Sequence, residues 1–169
     1  MPLIRNGRFV ADDWLRPVAG EALPWYGKLL LSRERLSAEG PALIEAGHTL
    51  GVEIANDTAP EGLEAWLPTL TLIAIGFPKS ADGRGFTLAQ RLRRMGYKGE
   101  LRAVGHLIPD QYSFALSCGF DTVEISEALA ARQPEKHWAA ARQSMSLAYQ
   151  ASSVFQRNIL SARWGPRDA

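Results

Sequence analysis

The chain has 169 residues, of which 46% are hydrophobic and 22% are charged, and this is the composition of an ordinary globular protein rather than of a disordered or fibrous one. The length corresponds to a single domain by the usual prior of roughly 150 residues per domain. Lysines and arginines number 19 against 18 acids, and the net charge of +1 lacks the strong basic excess of a dedicated nucleic-acid-binding protein.

Cysteine content and the first residues point to a compartment. The single cysteine, Cys118, excludes an intramolecular disulfide and a multi-cysteine metal or cluster site. Residues 1–14 lack the apolar core and the small-residue cleavage site of a signal peptide. No run reaches 18 apolar residues, so we expect no membrane-spanning helix. These features predict a cytoplasmic protein.

Short apolar runs of strand length recur along the chain. We predict strands at Lys28–Ser32, Leu50–Ala55, Thr71–Phe77, Glu100–Gly105 and Thr122–Ile125. Helical segments are predicted between them, at residues 41–46, 60–67, 87–95 and 109–118. Strands that alternate with helices pair in parallel. The sequence therefore predicts a single α/β domain with a mainly parallel five-stranded sheet flanked by helices.

Local signals mark the ends of several elements. The pair Asn6-Gly7 predicts a hairpin over residues 3–10, because a two-residue turn needs positive φ angles. Thr87 is interpreted as the N-cap of the third helix and Gly96 as its end. Pro109 and Gly119 mark the ends of the fourth helix. Ser126 is expected to cap a short helix over Glu127–Arg132, and Pro134 to begin a longer helix with Trp138, Met145 and Tyr149 along one side.

The two ends of the chain differ in character from its middle. We expect residues 1–150 to form the domain, with the hairpin in residues 1–26, and residues 151–169 to form a basic, apolar, helical tail. From Arg132 to the C-terminus, six basic and two acidic residues give a charge of +4. This tail either packs on its own core or docks on a partner, and it makes a homodimer reasonable.

Two architectures fit the alternation of strands and helices. An open, flavodoxin-like sheet is favoured because five strands close poorly into a barrel, and half of a β/α barrel is the alternative. In either case ligands bind outside the carboxyl ends of the parallel strands. A candidate site should therefore lie on the loops that follow the strands, including residues 32–35 and 56–58.

The loop after the third strand carries the richest set of polar residues. Asp82-Gly83-Arg84-Gly85 leads into a helix, and its glycines would let backbone N–H groups approach an anion that Lys79 and Arg84 could neutralise. A phosphate, sulfate, sulfite or carboxylate would suit this loop, and so would a protein partner. The alternative is a tight turn in which Asp82 pairs with Arg84. Neither a Walker loop nor a dinucleotide fingerprint is present.

His106 follows the fourth strand, where a general acid or base would be useful. Asp110 lies four residues further on and could orient the imidazole, and Gln111 joins the candidate residues for anion or partner binding. The alternative is an exposed histidine and an aspartate that only stabilises a helix start. We predict no metal site, because His48 and His137 have no suitable carboxylate arrangement around them.

Two other polar residues are interpreted as structural. Cys118 lies at a predicted helix C-terminus, where the helix dipole disfavours a thiolate, so we expect a buried, packed thiol. Arg102 lies inside a strand and requires a carboxylate partner, for which Glu124 on the neighbouring strand is the candidate.

A string of short motifs between residues 77 and 121 resembles one bacterial family of uncharacterised function. It comprises residues 77–79, 82–85, 92–93, 96–105, 110–111 and 118–121. Members of that family are encoded beside the sulfite reductase hemoprotein in sulfate-assimilation clusters and are often labelled probable oxidoreductases of sulfite reduction. The resemblance implies an accessory or electron-delivery partner of sulfite reductase.

The residues themselves favour a second kind of function, an enzyme that binds a small oxyanion or phosphorylated ligand at the strand ends. His106 and Asp110 would assist catalysis there. No cofactor is evident, because the chain has no flavin or nicotinamide motif and no second thiol. A flavin is not excluded, since a flavodoxin-like sheet can hold one without a short signature.

Overall fold

A curled, mixed sheet organises the protein, a computed structural model of which describes residues 1–18 and 26–143. The strands are β1 Leu3–Arg5, β2 Arg8–Val10, β3 Trp14–Leu15, β4 Lys28–Ser32, β5 Thr49–Ile54, β6 Leu72–Phe77, β7 Glu100–Gly105 and β8 Thr122–Glu124. The helices are α1 Arg33–Glu45, a 3-10 helix Pro60–Trp66, α2 Arg84–Arg94, α3 Pro109–Ser117 and α4 Glu127–Arg132. Residues 135–143 are also helical.

The strand order decides between the two predicted architectures. Across the sheet it is β2-β1-β8-β7-β6-β5-β4-β3, with β3 to β8 paired in parallel and β1 antiparallel to both β8 and β2. Strands β4 to β8 are thus neighbours in chain order, whereas a flavodoxin-like sheet would place its first strand between the second and third. The predicted single α/β domain is confirmed, and its architecture is the half β/α barrel rather than the favoured flavodoxin-like sheet.

Each face of the sheet has its own core. Right-handed crossovers between strands in chain order place the connecting helices on one face, where they bury alternate strand residues such as Leu31, Val52 and Ile75. The opposite, concave face holds a smaller apolar cluster of Trp14, Leu30, Leu72 and Ala74. A half barrel exposes this concave face unless another part of the chain covers it.

Ion pairs join the first residues of the chain to the concave face. Strands β2 and β3 are the opposite edges of the sheet, and residues 11–13 connect them. Asp12 in this connection pairs with Arg102 of β7, and Arg16, directly after β3, pairs with Glu124 of β8. Arg102 is 1% exposed, and its buried charge is compensated by Asp12, Glu100 and Glu124. The predicted pairing of Arg102 with Glu124 is confirmed at 3.1 Å.

The predicted element boundaries hold best where a local signal sets them. The hairpin turn at Asn6 and Gly7 has φ values of +52° and +78°, and α4 has the predicted range with Ser126 as its cap. Helix α2 starts at Arg84 instead of after Thr87, because Phe86 is already buried in the core within its first turn. Residues 33–35 of the expected loop over residues 32–35 form the first turn of α1, capped by the Ser32 hydroxyl.

Two predictions concern parts of the chain that are described only partly. The tail over residues 151–169 lies outside the described residues, and so do Met145 and Tyr149 of the predicted last helix. Trp138 of that helix is fully buried and packs edge-on against Tyr112, with ring centroids 5.6 Å apart. No described helix combines the length and the apolar character needed to cross a membrane.

Candidate functional site

A cleft of about 860 Å³ opens at the carboxyl ends of β4 to β7, on the concave side of the sheet. Leu30, Gly76 and Val104 contribute its apolar floor. Its polar lining comprises Arg16, Ser32, Glu53, Asn56, Asp57, Arg84 and His106. This is the edge at which parallel α/β sheets bind ligands. The cleft is therefore the candidate functional site.

Arg16 spans two carboxylates at the concave side of the cleft. Its Nε lies 3.0 Å from Oε2 of Glu53, and its Nη2 lies 2.7 Å from Oε2 of Glu124. Burial alone would lower the pKa of Arg16, but the hydrogen bonds and charges of these carboxylates outweigh burial and raise it. Nη1 of Arg16 donates no hydrogen bond to any residue of the described part of the chain.

Helix α1 fixes the position of Arg16. Nη1 of Arg35 donates to the backbone carbonyls of Pro17 and Val18, at 2.9 and 3.2 Å. Nε of Arg35 is held in turn by Glu39 at 2.9 Å. These hydrogen bonds hold Pro17 and Val18 against helix α1, while the side chain of Arg16 extends over the concave face of the sheet.

Asn56, which follows β5, is the most buried polar side chain lining the cleft at 5% exposure. Its Nδ2 makes no hydrogen bond of normal geometry within the described residues. The amide is nevertheless close enough to Asp82 to contribute to the low pKa of that carboxyl. A buried amide donor that lacks a well-formed hydrogen bond lowers the stability of the fold. A ligand with an acceptor atom in the cleft would supply that hydrogen bond.

The loop before α2 adopts the tight turn that the sequence left as an alternative. Asp82 accepts from Nε and Nη2 of Arg84 at 2.9 and 2.7 Å, and Asp57 lies 3.3 Å from Nη1. The Arg84 hydrogen bonds hold the pKa of Asp82 well below its ordinary value, and Asp82 raises the pKa of Arg84. The guanidinium of Arg84 therefore lines the cleft while already paired with the carboxylates of Asp82 and Asp57.

The glycines and the lysine of this loop differ in solvent exposure and in what they contact. A Cβ on Gly85 would collide with the ring of Phe77, so Gly85 is required for close packing of α2 on the sheet. Gly83 is exposed and precedes the helix. Lys79 is exposed, is not among the residues lining the cleft, and makes no ion pair within the described part of the chain.

The structure places His106 at the cleft but does not connect it to Asp110. Both side chains are exposed, and no hydrogen bond joins them in the described structure. Asp110 lies in the first turn of α3. Gln111 donates from Nε2 to the carbonyl of Ser80 at 2.7 Å, so it links α3 to the loop before α2. His106 and Arg84 thus share one cleft, whereas Asp110 and Gln111 lie beside it.

Sequence reasoning missed Arg16 and Glu53 and did not single out Asn56. Asn56 lies in the expected loop over residues 56–58, directly after a predicted strand, but was not named as a candidate residue. Glu53 lies within the same strand and alternation places it on the concave face. Arg16 had no local signal, since it belongs to a short edge segment and reaches the cleft only because the sheet curls.

Other candidate chemistry lies away from the cleft. Cys118 is 2% exposed, as predicted, and receives a hydrogen bond from Nε2 of Gln90 at 3.4 Å. Among the described residues no group of three or more His, Cys, Asp or Glu side chains is arranged to hold a metal ion.

Comparison with known proteins gives one match. The profile of a bacterial protein family of unknown function, DUF934, matches residues 51–159. No match to a curated protein was found. The matched region begins within β5, continues through α4, and excludes the cleft residues Arg16, Leu30 and Ser32. Since it covers 109 of 169 residues, this chain belongs to that bacterial family of unknown function.

Proposed function

We propose that the protein binds a small polar ligand in the cleft at the carboxyl ends of β4 to β7, as an accessory component of assimilatory sulfite reduction. The observation that carries the binding role is Asn56, whose buried Nδ2 borders the cleft without a hydrogen bond of normal geometry. Native proteins rarely leave such a donor unsatisfied, so a bound acceptor is its natural partner.

The candidate ligands are a small oxyanion, sulfite among them, and a phosphorylated compound. Arg16 supports an oxyanion because its Nη1 is free of acceptors within the described structure, while Nε and Nη2 are held by carboxylates. A guanidinium anchored on one side and open on the other is preorganised to receive an acceptor.

Catalysis in the same cleft is the second candidate, and His106 favours it. Its ring is exposed at the cleft, where an imidazole nitrogen could give a proton to a bound ligand or take one from it. A general acid or base needs an orienting partner, and Asp110 would have to rotate toward the ring to supply one. Binding therefore requires no rearrangement, whereas catalysis through these two residues does.

The role in sulfite reduction rests on the resemblance of residues 77–121 to proteins encoded beside the sulfite reductase hemoprotein. Lys79 begins this motif string on an exposed loop and has no ion-pair partner within the described residues. We therefore expect the hemoprotein to contact the protein near Lys79. Electron delivery would need a bound redox carrier, for which a flavin in the cleft is the candidate.

Co-purification tests the partnership. The tagged protein is expressed with the sulfite reductase hemoprotein, and retention of the hemoprotein is compared for the wild type, Lys79→Ala and Lys98→Ala. Lys98 is the matched control, because it is exposed at the opposite end of the sheet, before β7. We expect loss of retention for Lys79→Ala alone. No retention by the wild type would contradict the partnership.

A visible absorption spectrum of the freshly purified protein separates the accessory role from electron delivery. A stoichiometric flavin spectrum would assign electron transfer to this protein. A spectrum without a chromophore, combined with retention of the hemoprotein, would support a ligand-binding accessory role.

A further inference from the structure

We propose that the ligand of this cleft carries no more than one negative charge and presents hydrogen-bond acceptors to Arg16 and Asn56. This inference rests on the proposed binding role and narrows it. Monoanionic oxyanions, such as hydrogensulfite or a carboxylate, and neutral sulfonyl or carbonyl compounds belong to this class. Phosphate monoesters and sulfate do not.

Charge balance is the first argument. The two arginines that line the cleft each contact two carboxylates, so two positive charges face four negative ones, namely Glu53, Glu124, Asp57 and Asp82. Extending the count along the ion-pair network adds Arg102 and Arg5, and with them Asp12 and Glu100. The formal balance is −2 in both counts. A dianion would therefore enter a field of its own sign.

The remaining basic group does not reverse this balance. His106 is exposed at the cleft and makes no hydrogen bond or ion pair through its ring in the described structure. Protonation of its ring would change the balance only from −2 to −1. Lys79, which makes no ion pair within the described residues, does not line the cleft. Arg16, Arg84 and His106 are the basic side chains of the described lining, which therefore lacks the excess of positive charge that phosphate sites use.

Unused donors are the second argument, and they show that the cleft is not simply a cation site. Arg16 has five N–H donors, and the two on Nη1 have no acceptor among the described residues. Asn56 offers the second donor group, and at 5% exposure it is buried enough for an unmet hydrogen bond to be costly. A ligand with acceptor oxygens and little charge satisfies both groups without opposing the surrounding carboxylates.

A series of three probes with similar shape and different charge tests the inference. The full-length, ¹⁵N-labelled protein is titrated with dimethyl sulfone, methanesulfonate and sulfate at constant ionic strength, and backbone and side-chain amide resonances are followed by NMR. We expect saturable shifts at Asn56, Gly76 and Gly105 with methanesulfonate. Sulfate should bind about tenfold more weakly, because its second charge meets the net negative lining.

Two variants connect these shifts to the named donors. Arg16→Lys keeps the positive charge but removes the planar guanidinium, and Asn56→Ala removes the amide donor. Each should weaken methanesulfonate binding about tenfold, as expected for loss of one charge-assisted or buried hydrogen bond. Arg8→Lys on β2 is the matched control, because Arg8 is exposed and distant from the cleft in the sheet order. The amide spectrum of each variant reports whether it is folded.

The outcomes distinguish failure of this inference from failure of the proposed binding role. Sulfate binding in the cleft as tightly as methanesulfonate would overturn the charge limit and leave the binding role intact. Methanesulfonate binding that is unchanged in folded Arg16→Lys and Asn56→Ala would overturn the assignment of the donors. Absence of cleft shifts with all three probes would overturn the proposed binding role together with this inference.

Discussion

Asp12 accepts two hydrogen bonds from the guanidinium of Arg102, 2.7 Å from Nη1 and 3.1 Å from Nη2, although the two residues are 90 positions apart in the chain. This contact holds the segment between β2 and β3 across the concave side of the sheet. Arg16 follows directly after β3, four residues beyond Asp12, and reaches the cleft from that edge of the sheet. The first residues of the chain, which precede the region matched by the family profile, thus complete the site.

Removal of the Asp12 carboxylate should destabilise the fold. In Asp12→Ala the nearly inaccessible Arg102 loses its bidentate partner, and we expect the free energy of unfolding to fall by about 2–4 kcal/mol in urea denaturation. Asp13→Ala is the matched control, since Asp13 is 69% exposed and, among the described residues, forms its ion pair with Lys28 at the surface. That change should cost less than about 1 kcal/mol. Equal losses of unfolding free energy in the two variants would contradict a special contribution of the Asp12–Arg102 pair to stability.

The two glycines before and within α2 should respond differently to the same substitution. Gly85→Ala forces a methyl group against the ring of Phe77, and we expect a loss of about 1–3 kcal/mol in unfolding free energy. Gly83→Ala would place its Cβ 3.9 Å from the ring of Phe86, an ordinary van der Waals contact, at a φ of −79° that alanine adopts readily. It should therefore be neutral or stabilise by up to about 1 kcal/mol. Thermal and urea denaturation of both variants would measure the difference.

The carboxyl of Asp82 should titrate well below its ordinary pKa of 3.8, because Arg84 donates hydrogen bonds to its ionised form. A folded-state pKa below the unfolded value means that this carboxylate stabilises the fold above pH 3.8, and the contribution is lost as the pH falls through the folded pKa. NMR of the carboxyl carbon would follow the titration. Arg84→Gln should return the pKa of Asp82 toward 3.8.

Arg91→Gln is the matched control for that titration. Arg91 lies two turns further along α2 and pairs with Glu61 instead of Asp82. Its substitution should leave the pKa of Asp82 unchanged. An equal shift in both variants would mean that helix charge, rather than the hydrogen bonds of Arg84, sets the acidity of Asp82.

The thiol of Cys118 should be inert in the native protein. It is 2% exposed beneath Gln90, so a thiol reagent can reach it only after local opening. We expect the reaction with a chromogenic disulfide to be about a hundredfold or more slower in buffer than in denaturant. Because this is the single cysteine, Cys118→Ser gives the background rate. Rapid stoichiometric reaction of the folded protein would contradict the packing role.

Much of the secondary structure was predictable because its causes are local. β4 and β7 have the predicted ranges, β6 and β8 differ from theirs by one residue at one end, and β5 is shifted by one residue at both ends. Helix α4 begins after its Ser126 cap as expected. The start of α2 was predicted wrongly, because the packing of Phe86 on the sheet, rather than a capping hydroxyl, determines where that helix begins.

The amino-acid order alone determined a single α/β domain, the parallel strands, and the edge of the sheet where Arg84 and His106 meet, since periodicity and turn chemistry act between near neighbours in the chain. Only the tertiary structure decided that the sheet curls into a half barrel, and that Arg16 and Asn56 join the same cleft. Strand order and long-range ion pairs depend on how the whole chain packs, and no local pattern encodes a contact between residues 12 and 102.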